Sequence, residues 1–322
     1  MATFQACGTF DARDDAKMLR KAMKGFGCDE AAIIGITCMR NSSQRQDLAV
    51  AYKQTHGRDL IKDLKSELSG NLEHVIVGLM SPLTVYLAQE IKRAMKGMGT
   101  NESVLIEIIC TRSNSEIRAV KAAYQELYGQ SLENEVASEL SGDLKRVMTA
   151  LLTASRPENT GVNPAAAKQE ARELKAAGVD RWGTDESAFI ATLCSNSFEQ
   201  LRAIFREYHA LAGHDILEAI AREMSGNLKQ ALLAIVKSMY NTPLYFAERL
   251  EKAMKGLGTD DRTLVRIIVS RCEIDLAAIR DEYQKLYGRS LVKAIESETS
   301  GYYKKALITL VTQSTNLYST AP

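Results

Sequence analysis

An all-α chain of four homologous repeats, five helices in each, is the fold class this sequence predicts, and three observations predict it. The phrase MKGFGCDE at residues 23–30 returns as MKGMGTNE from Met95 and MKGLGTDD from Met254, with a looser copy, DRWGTDES, from Asp180. A second phrase recurs downstream: SELSGNLE from Ser66, SELSGDLK from Ser138, REMSGNLK from Arg222 and SETSGYYK from Ser297. Apolar residues inside each copy follow a helical period. The last loop glycines, Gly27, Gly99, Gly183 and Gly258, are spaced by 72, 84 and 75 residues. The glutamate of the second phrase (Glu67, Glu139, Glu223 or Glu298) lies 40 residues beyond its glycine in every copy. Insertions fall between copies but never between the two phrases, so each pair of phrases forms one spatial device.

Taken in chain order, residues 1–12 read as a short N-terminal tail, 13–82 as the first repeat and 83–153 as the second. Residues 154–168 form a connector, 169–240 the third repeat, 241–316 the fourth and 317–322 a C-terminal tail. In the second repeat Val104, Leu105, Ile108 and Ile109 recur at i, i+1, i+4 and i+5, one apolar stripe on a helix. Asn101, like Asp29 in the first repeat, stands where it can cap that helix, and Glu102 or Glu30 follows in the first turn, where the helix dipole favours an anion. The next helix starts from a cap at Ser113 or Ser115 and stops at Gly129. QSLENEVASELSG and DLKRVMTALLT supply two shorter helices. The helix preceding each glycine loop completes five, with almost no strand signal. The Pro, Gly and Asn content of ASRPENTGVNPAAAK, residues 154–168, marks a joint between two halves.

Composition narrows the function. The 322 residues are 45% apolar and 25% charged, the balance of a globular protein. With 41 basic and 40 acidic residues the net charge is +1, so neither nucleic acid nor an anionic membrane is attracted by bulk charge alone. The start, MATFQACGTFDARDDAK, has no apolar signal core, and no run of about 18 apolar residues occurs, so a cytoplasmic protein is expected. Cys7, Cys28, Cys38, Cys110, Cys194 and Cys272 are scattered singly, without metal-finger spacing, and read as reduced thiols. Cys38, Cys110 and Cys194 end apolar runs and are expected to be buried. The four histidines, His56, His74, His209 and His214, do not recur between copies, and no phosphate loop, HExxH or nucleophile-elbow motif appears, so no enzyme is expected.

The loops themselves suggest a metal. Glycine accepts positive φ, which lets the carbonyls of Met23, Gly25 and Gly27 turn toward one point at a helix end. Glu67 adds a carboxylate from the paired phrase. Such hard oxygen donors suit calcium, which takes about six to eight oxygens; zinc would require nitrogen or sulfur ligands, and magnesium a tighter octahedral shell. Three carbonyls and one carboxylate leave coordination positions open to water or to an outside oxygen. The residue between the glycines, Phe26, Met98, Trp182 or Leu257, is large and apolar, and Lys24, Lys96 and Lys255 stand beside three of them. An apolar tip next to a cation fits an anionic lipid surface. A single Gly-x-Gly turn would read as a helix cap. Four copies at a constant offset favour a binding device, with a protein-binding helical scaffold as the rival reading.

These paired motifs resemble the annexins, over nearly the whole chain from about Phe10 to Val311. The resemblance implies a slightly curved all-helical disc with calcium loops on its convex face, and reversible binding to acidic phospholipids such as phosphatidylserine. Carried over residue by residue, the implied Ca2+ ligands are Met23, Gly25, Gly27 and Glu67 in the first copy, and Met95, Gly97, Gly99 and Glu139 in the second. In the fourth they are Met254, Gly256, Gly258 and Glu298. The third copy, AAGVDRWGTDE, lacks the Met and the first loop glycine; there the resemblance implies Gly178, Arg181, Gly183 and Glu223. Trp182 resembles the family's membrane-seeking tryptophan, and Cys28 replaces its usual threonine. Glu107, Arg112, Arg271 and Asp275 resemble residues lining the family's central channel and are read as ion pairs fixing the repeats against one another. The tail is too short and irregular for a partner-binding helix, so no tail-bound protein is expected, and self-association on the membrane is left open.

Overall fold

The computed structural model describes residues 10–25, 27–178, 185–256 and 258–313. Every element among them is a helix, and none is a strand. The first repeat contains α1 (Ala12–Ala22), α2 (Glu30–Thr37), α3 (Ser42–His56), α4 (Leu60–Glu67) and α5 (Gly70–Met80). The second contains α6 (Leu83–Ala94), α7 (Glu102–Ile109), α8 (Asn114–Tyr128), α9 (Leu132–Glu139) and α10 (Gly142–Leu152). The third begins with α11 (Pro164–Ala177), α12 (Glu186–Ser195), α13 (Phe198–Ala212) and α14 (Ile216–Glu223). The 29-residue α15 (Gly226–Met254) then ends the third repeat and opens the fourth, which continues with α16 (Asp261–Arg271), α17 (Leu276–Tyr287), α18 (Leu291–Glu298) and α19 (Gly301–Gln313). Inside α15 Asn241 has φ −156° and ψ 90°, and Pro243 follows, so two helices share one label and five per repeat are preserved.

Local chemistry sets most boundaries. Asp29 accepts the Ala32 N–H at 2.9 Å and caps α2 as expected. Asn101 occupies the equivalent position before α7 but makes no side-chain cap; its Oδ1 accepts instead from the Ser103 hydroxyl at 2.9 Å. Ser113, not Ser115, caps α8, in a reciprocal capping box with Glu116. Asn41 does the same for α3 with Gln44. Gly129 ends α8 in the left-handed conformation, at φ 65°. Pro164 stands inside the expected connector but starts α11, where its missing N–H is harmless and its fixed φ is already helical.

The chain divides into two compact units, residues 1–86 with 243–322, and residues 87–242. In the first unit α5 packs on α16 and α19. A Cβ on Gly78 would approach Tyr86 at 3.0 Å and Val269 at 3.3 Å, so glycine permits that close packing. Arg45, buried, donates to the carbonyls of Thr37 at 2.9 Å and Leu79 at 3.0 Å and pairs with Glu273 at 3.1 Å, joining first-repeat and fourth-repeat segments. In the second unit α10 packs on α12, and the connector's Arg156 donates to the carbonyls of Asn196 at 2.6 Å and Leu193 at 2.8 Å. Cys38, Cys110 and Cys194 are buried, as their positions at the ends of apolar runs predict. Arg271 pairs with Asp275 and Arg112 with Glu116, each four residues along the chain, so these two ion pairs lie within a repeat and do not join repeats as expected.

Candidate metal centre

Each glycine loop is closed at its base by one backbone hydrogen bond. The N–H of Asp29 donates to the Ala22 carbonyl at 2.9 Å; Asn101 to Ala94 and Asp260 to Ala253 do so at 2.8 Å. Asp185 closes the third loop on Ala177, also at 2.8 Å, across one additional residue. Between these pins the backbone adopts conformations that side-chain-bearing residues avoid. Gly25 and Gly27 have φ 122° and 95°, Gly97 and Gly99 110° and 92°, and Gly256 and Gly258 129° and 90°. A Cβ at any of the six would meet nothing within 4 Å, so what requires glycine is the torsion and not the space. In the second repeat the carbonyls of Met95, Gly97 and Gly99 accept no hydrogen bond among the described residues.

The side chains divide sharply between core and solvent. Met23, Met95 and Met254 are buried, anchoring the loop start while leaving only main-chain oxygens to face outward chemistry. Met98, at the second loop tip, is 106% exposed, the extreme among large apolar residues described. Lys24, Lys96 and Lys255 are exposed. Phe26, Leu257, Arg181, Trp182 and Gly183 lie outside the described residues.

The paired acids occupy one structural position. Glu67, Glu139, Glu223 and Glu298 are each the last residue of an eight-residue helix, α4, α9, α14 and α18. A carboxylate there faces the negative end of the helix dipole, an arrangement that only a nearby cation or donor relieves. The next helix follows at once, its first residue Gly70, Gly142, Gly226 or Gly301 at φ of 60°, 57°, 56° and 61°. Loop and acid meet in the second and fourth repeats. The Thr100 hydroxyl donates to Glu139 Oε2 at 2.9 Å, and Thr259 Oγ1 lies 3.2 Å from Glu298 Oε2 and 3.4 Å from the Glu298 carbonyl. In the first repeat Cys28 has its thiol pushed up to about 11, first by burial and then by the charges of Glu30, Glu67 and Asp29. In the third repeat Gly178 ends its helix much as Met23 does in the first: its φ is −110° against −101°, and its N–H donates to Leu174 at 3.1 Å and Lys175 at 3.3 Å.

The donor set is oxygen throughout. Among the described residues no three of His, Cys, Asp and Glu gather as a metal cluster, so main-chain carbonyls with one carboxylate per loop are the ligands on offer, a fit to calcium and not to zinc. Glu30, Glu102, Glu186 and Asp261 begin α2, α7, α12 and α16, where an anion complements the helix dipole.

The family profile described as Annexin matches residues 14–79, 86–151, 169–235 and 245–310. The chain belongs to the annexin family. It is 52% identical to mouse annexin A4 over 308 residues, 96% of this chain and 97% of that protein. Among solved structures it resembles annexin III at 43% identity, TM-score 0.93 and 96% coverage of both chains. It also resembles a calcium-bound annexin (Sm)1 at 33% identity and TM-score 0.83, covering 97% of this chain and 93% of that one. Against this annexin's structure, sequence reasoning missed two recurring features. One is the hydroxyl tie from the residue after the second loop glycine. The other is a fully buried tyrosine 25 residues after each last loop glycine, Tyr52, Tyr124, Tyr208 and Tyr283, whose repeat was visible in the sequence. Three of these donate to carboxylates, Tyr52 to Asp63 at 2.7 Å, Tyr124 to Glu135 and Tyr283 to Glu251.

Proposed function

We propose that this annexin binds acidic phospholipid membranes reversibly and only when calcium is present, as a non-catalytic cytoplasmic protein recruited peripherally. The observation that carries the reading is the contact of the second and fourth loops with their acids 40 residues downstream, made by Thr100 with Glu139 and Thr259 with Glu298. The holding residues are the carbonyls of Met23, Gly25 and Gly27 with Glu67, of Met95, Gly97 and Gly99 with Glu139, and of Met254, Gly256 and Gly258 with Glu298. Gly178, Arg181, Gly183 and Glu223 form the corresponding third set. Bound calcium supplies positive charge and open positions for phosphate oxygens.

The chain's own residues do the rest. The backbone pin and the glycine torsions keep the carbonyls turned outward, and Lys24, Lys96 and Lys255 draw anionic headgroups. Met98, with Phe26, Trp182 and Leu257 as its sequence counterparts, enters the interface. No described helix is long and apolar enough to cross a membrane. Metal and lipid each raise the affinity for the other, and sites engaging one surface act together, so occupancy rises steeply with calcium. Self-association on the membrane is an added consequence of crowding on that surface. Co-sedimentation with phosphatidylserine vesicles tests the reading: binding is expected in calcium and full release on chelation, together with a change in Trp182 fluorescence that needs both vesicles and calcium. Binding that persists in chelator overturns it.

A further inference from the structure

We infer that the residue following each second loop glycine, Thr100 in the second repeat and Thr259 in the fourth, is a positioning residue that holds the paired glutamate toward its loop, and that Cys28 leaves the first repeat without this hold. The inference rests on the calcium reading above and adds to it an order among the sites.

Glu139 ends its helix, is exposed, and carries a long side chain with several rotors. Left free, it would lose that rotamer freedom each time it took up a ligand. The Thr100 hydroxyl, 39 residues earlier in the chain, instead donates to its Oε2 at 2.9 Å, so one carboxylate oxygen is fixed while the other stays available. Thr259 reaches Glu298 Oε2 at 3.2 Å and shares its single proton with the Glu298 carbonyl at 3.4 Å, a looser form of the same tie. Hydrogen bonds of this kind to a ligating carboxylate are the usual outer support of a metal site. Cys28 replaces the hydroxyl with a thiol, a weak donor, and among the described residues no hydrogen bond joins it to Glu67.

The test uses the full-length chain labelled with 15N-glycine, in which Gly25 and Gly27, Gly97 and Gly99, and Gly256 and Gly258 report each loop separately during a calcium titration. Midpoints for the second and fourth repeats are expected below that of the first by about tenfold, the low end of what one supporting hydrogen bond to a metal-binding carboxylate is worth. Cys28→Thr is expected to lower the first-repeat midpoint by a similar factor. Thr100→Val raises the second-repeat midpoint, and Thr100→Ser restores it. In chelator, with no metal bound, Thr100→Val is expected to shift the Gly97 and Gly99 amides and speed their exchange, leaving the other loops unchanged. The inference is overturned if the glycine amides answer calcium but Cys28→Thr and Thr100→Val leave every midpoint in place, or if Thr100→Ser behaves as valine does. Amides silent to calcium in all three loops would remove the site reading itself and this inference with it.

Discussion

Replacing all four paired acids, Glu67, Glu139, Glu223 and Glu298, by glutamine separates a binding role from a structural one. Each glutamate is the C-terminal residue of a short helix, so in calcium-free protein its charge opposes the dipole. That repulsion is worth about 0.3–1 kcal/mol per site, and the exposed positions of Glu67 and Glu139 put them at the low end. Four sites together give roughly 1–4 kcal/mol of relief. Two losses work the other way. The hydroxyls of Thr100 and Thr259 would then donate to a neutral amide instead of a carboxylate, costing about 0.5 kcal/mol each. The net expectation is a calcium-free variant that is about 0–3 kcal/mol more stable than the parent. At about 2–4 °C per kcal/mol for chains of this order, the melting temperature stays level or rises by up to about 10 °C.

Calorimetry in chelator and again in calcium reads both sides. The parent should gain stability from calcium, by about 2.7 kcal/mol for each site held at a hundredfold excess over its dissociation constant, while the quadruple variant gains little. The two curves should therefore cross: the variant melts higher without calcium and the parent higher with it. A variant that melts well below the parent in chelator would make the acids structural. An undiminished calcium response would place the ligands elsewhere.

Met98→Ser should leave the melting temperature unchanged, because the side chain is wholly exposed, yet weaken vesicle binding by about 1 kcal/mol, or fivefold; equal binding would deny the tip any membrane contact. Asp63 is held below its ordinary value of 3.8, chiefly by the hydrogen bonds from Arg58 at 2.6 and 2.7 Å and then by the Tyr52 hydroxyl, with burial opposing. A depressed carboxylate contributes stability that is complete above the ordinary value and lost as pH falls through the folded one. Asp63→Asn should thus destabilise the protein near pH 7, with the deficit shrinking below pH about 4; a pH-independent deficit would contradict the ion-pair account.

What the sequence disclosed follows from how local each signal is. A pair of glycines one residue apart needs no context to announce a turn at positive φ, and all six describable loop glycines adopt one. Glu67 and its counterparts were legible through a constant offset, which repetition supplied and no single copy could. Asn101 shows where locality ends: its side chain competes for the cap but bonds Ser103, a choice set by a neighbouring hydroxyl. The boundary between the third and fourth repeats was equally legible, because Asn241 with Pro243 two residues on marks a break, and Asn241 leaves the helical conformation at φ −156° and ψ 90°. The ties of Thr100 and Thr259 join residues 39 apart, and pairing at that range is decided by the packing of whole helices.

Three local rules are broken at the second-repeat site, and they are broken together. Gly97 and Gly99 fix the chain at φ values costly in conformational entropy, Met98 sets an apolar side chain in water, and Glu139 puts a negative charge at the negative end of a helix. None of these choices helps α6, α7 or α9 to fold; buried Met95 and the pin from Asn101 to Ala94 do that work around them. Unfavourable choices scattered at random would point to a tolerant surface. Here they fall within one loop and the acid it touches, and the loop torsions with the terminal glutamate return in the first and fourth repeats. Sequences usually depart from local consistency where function demands it. The function proposed above accounts for all three together: a divalent cation would take up the loop carbonyls and the terminal carboxylate, beneath an apolar surface that covers the tip.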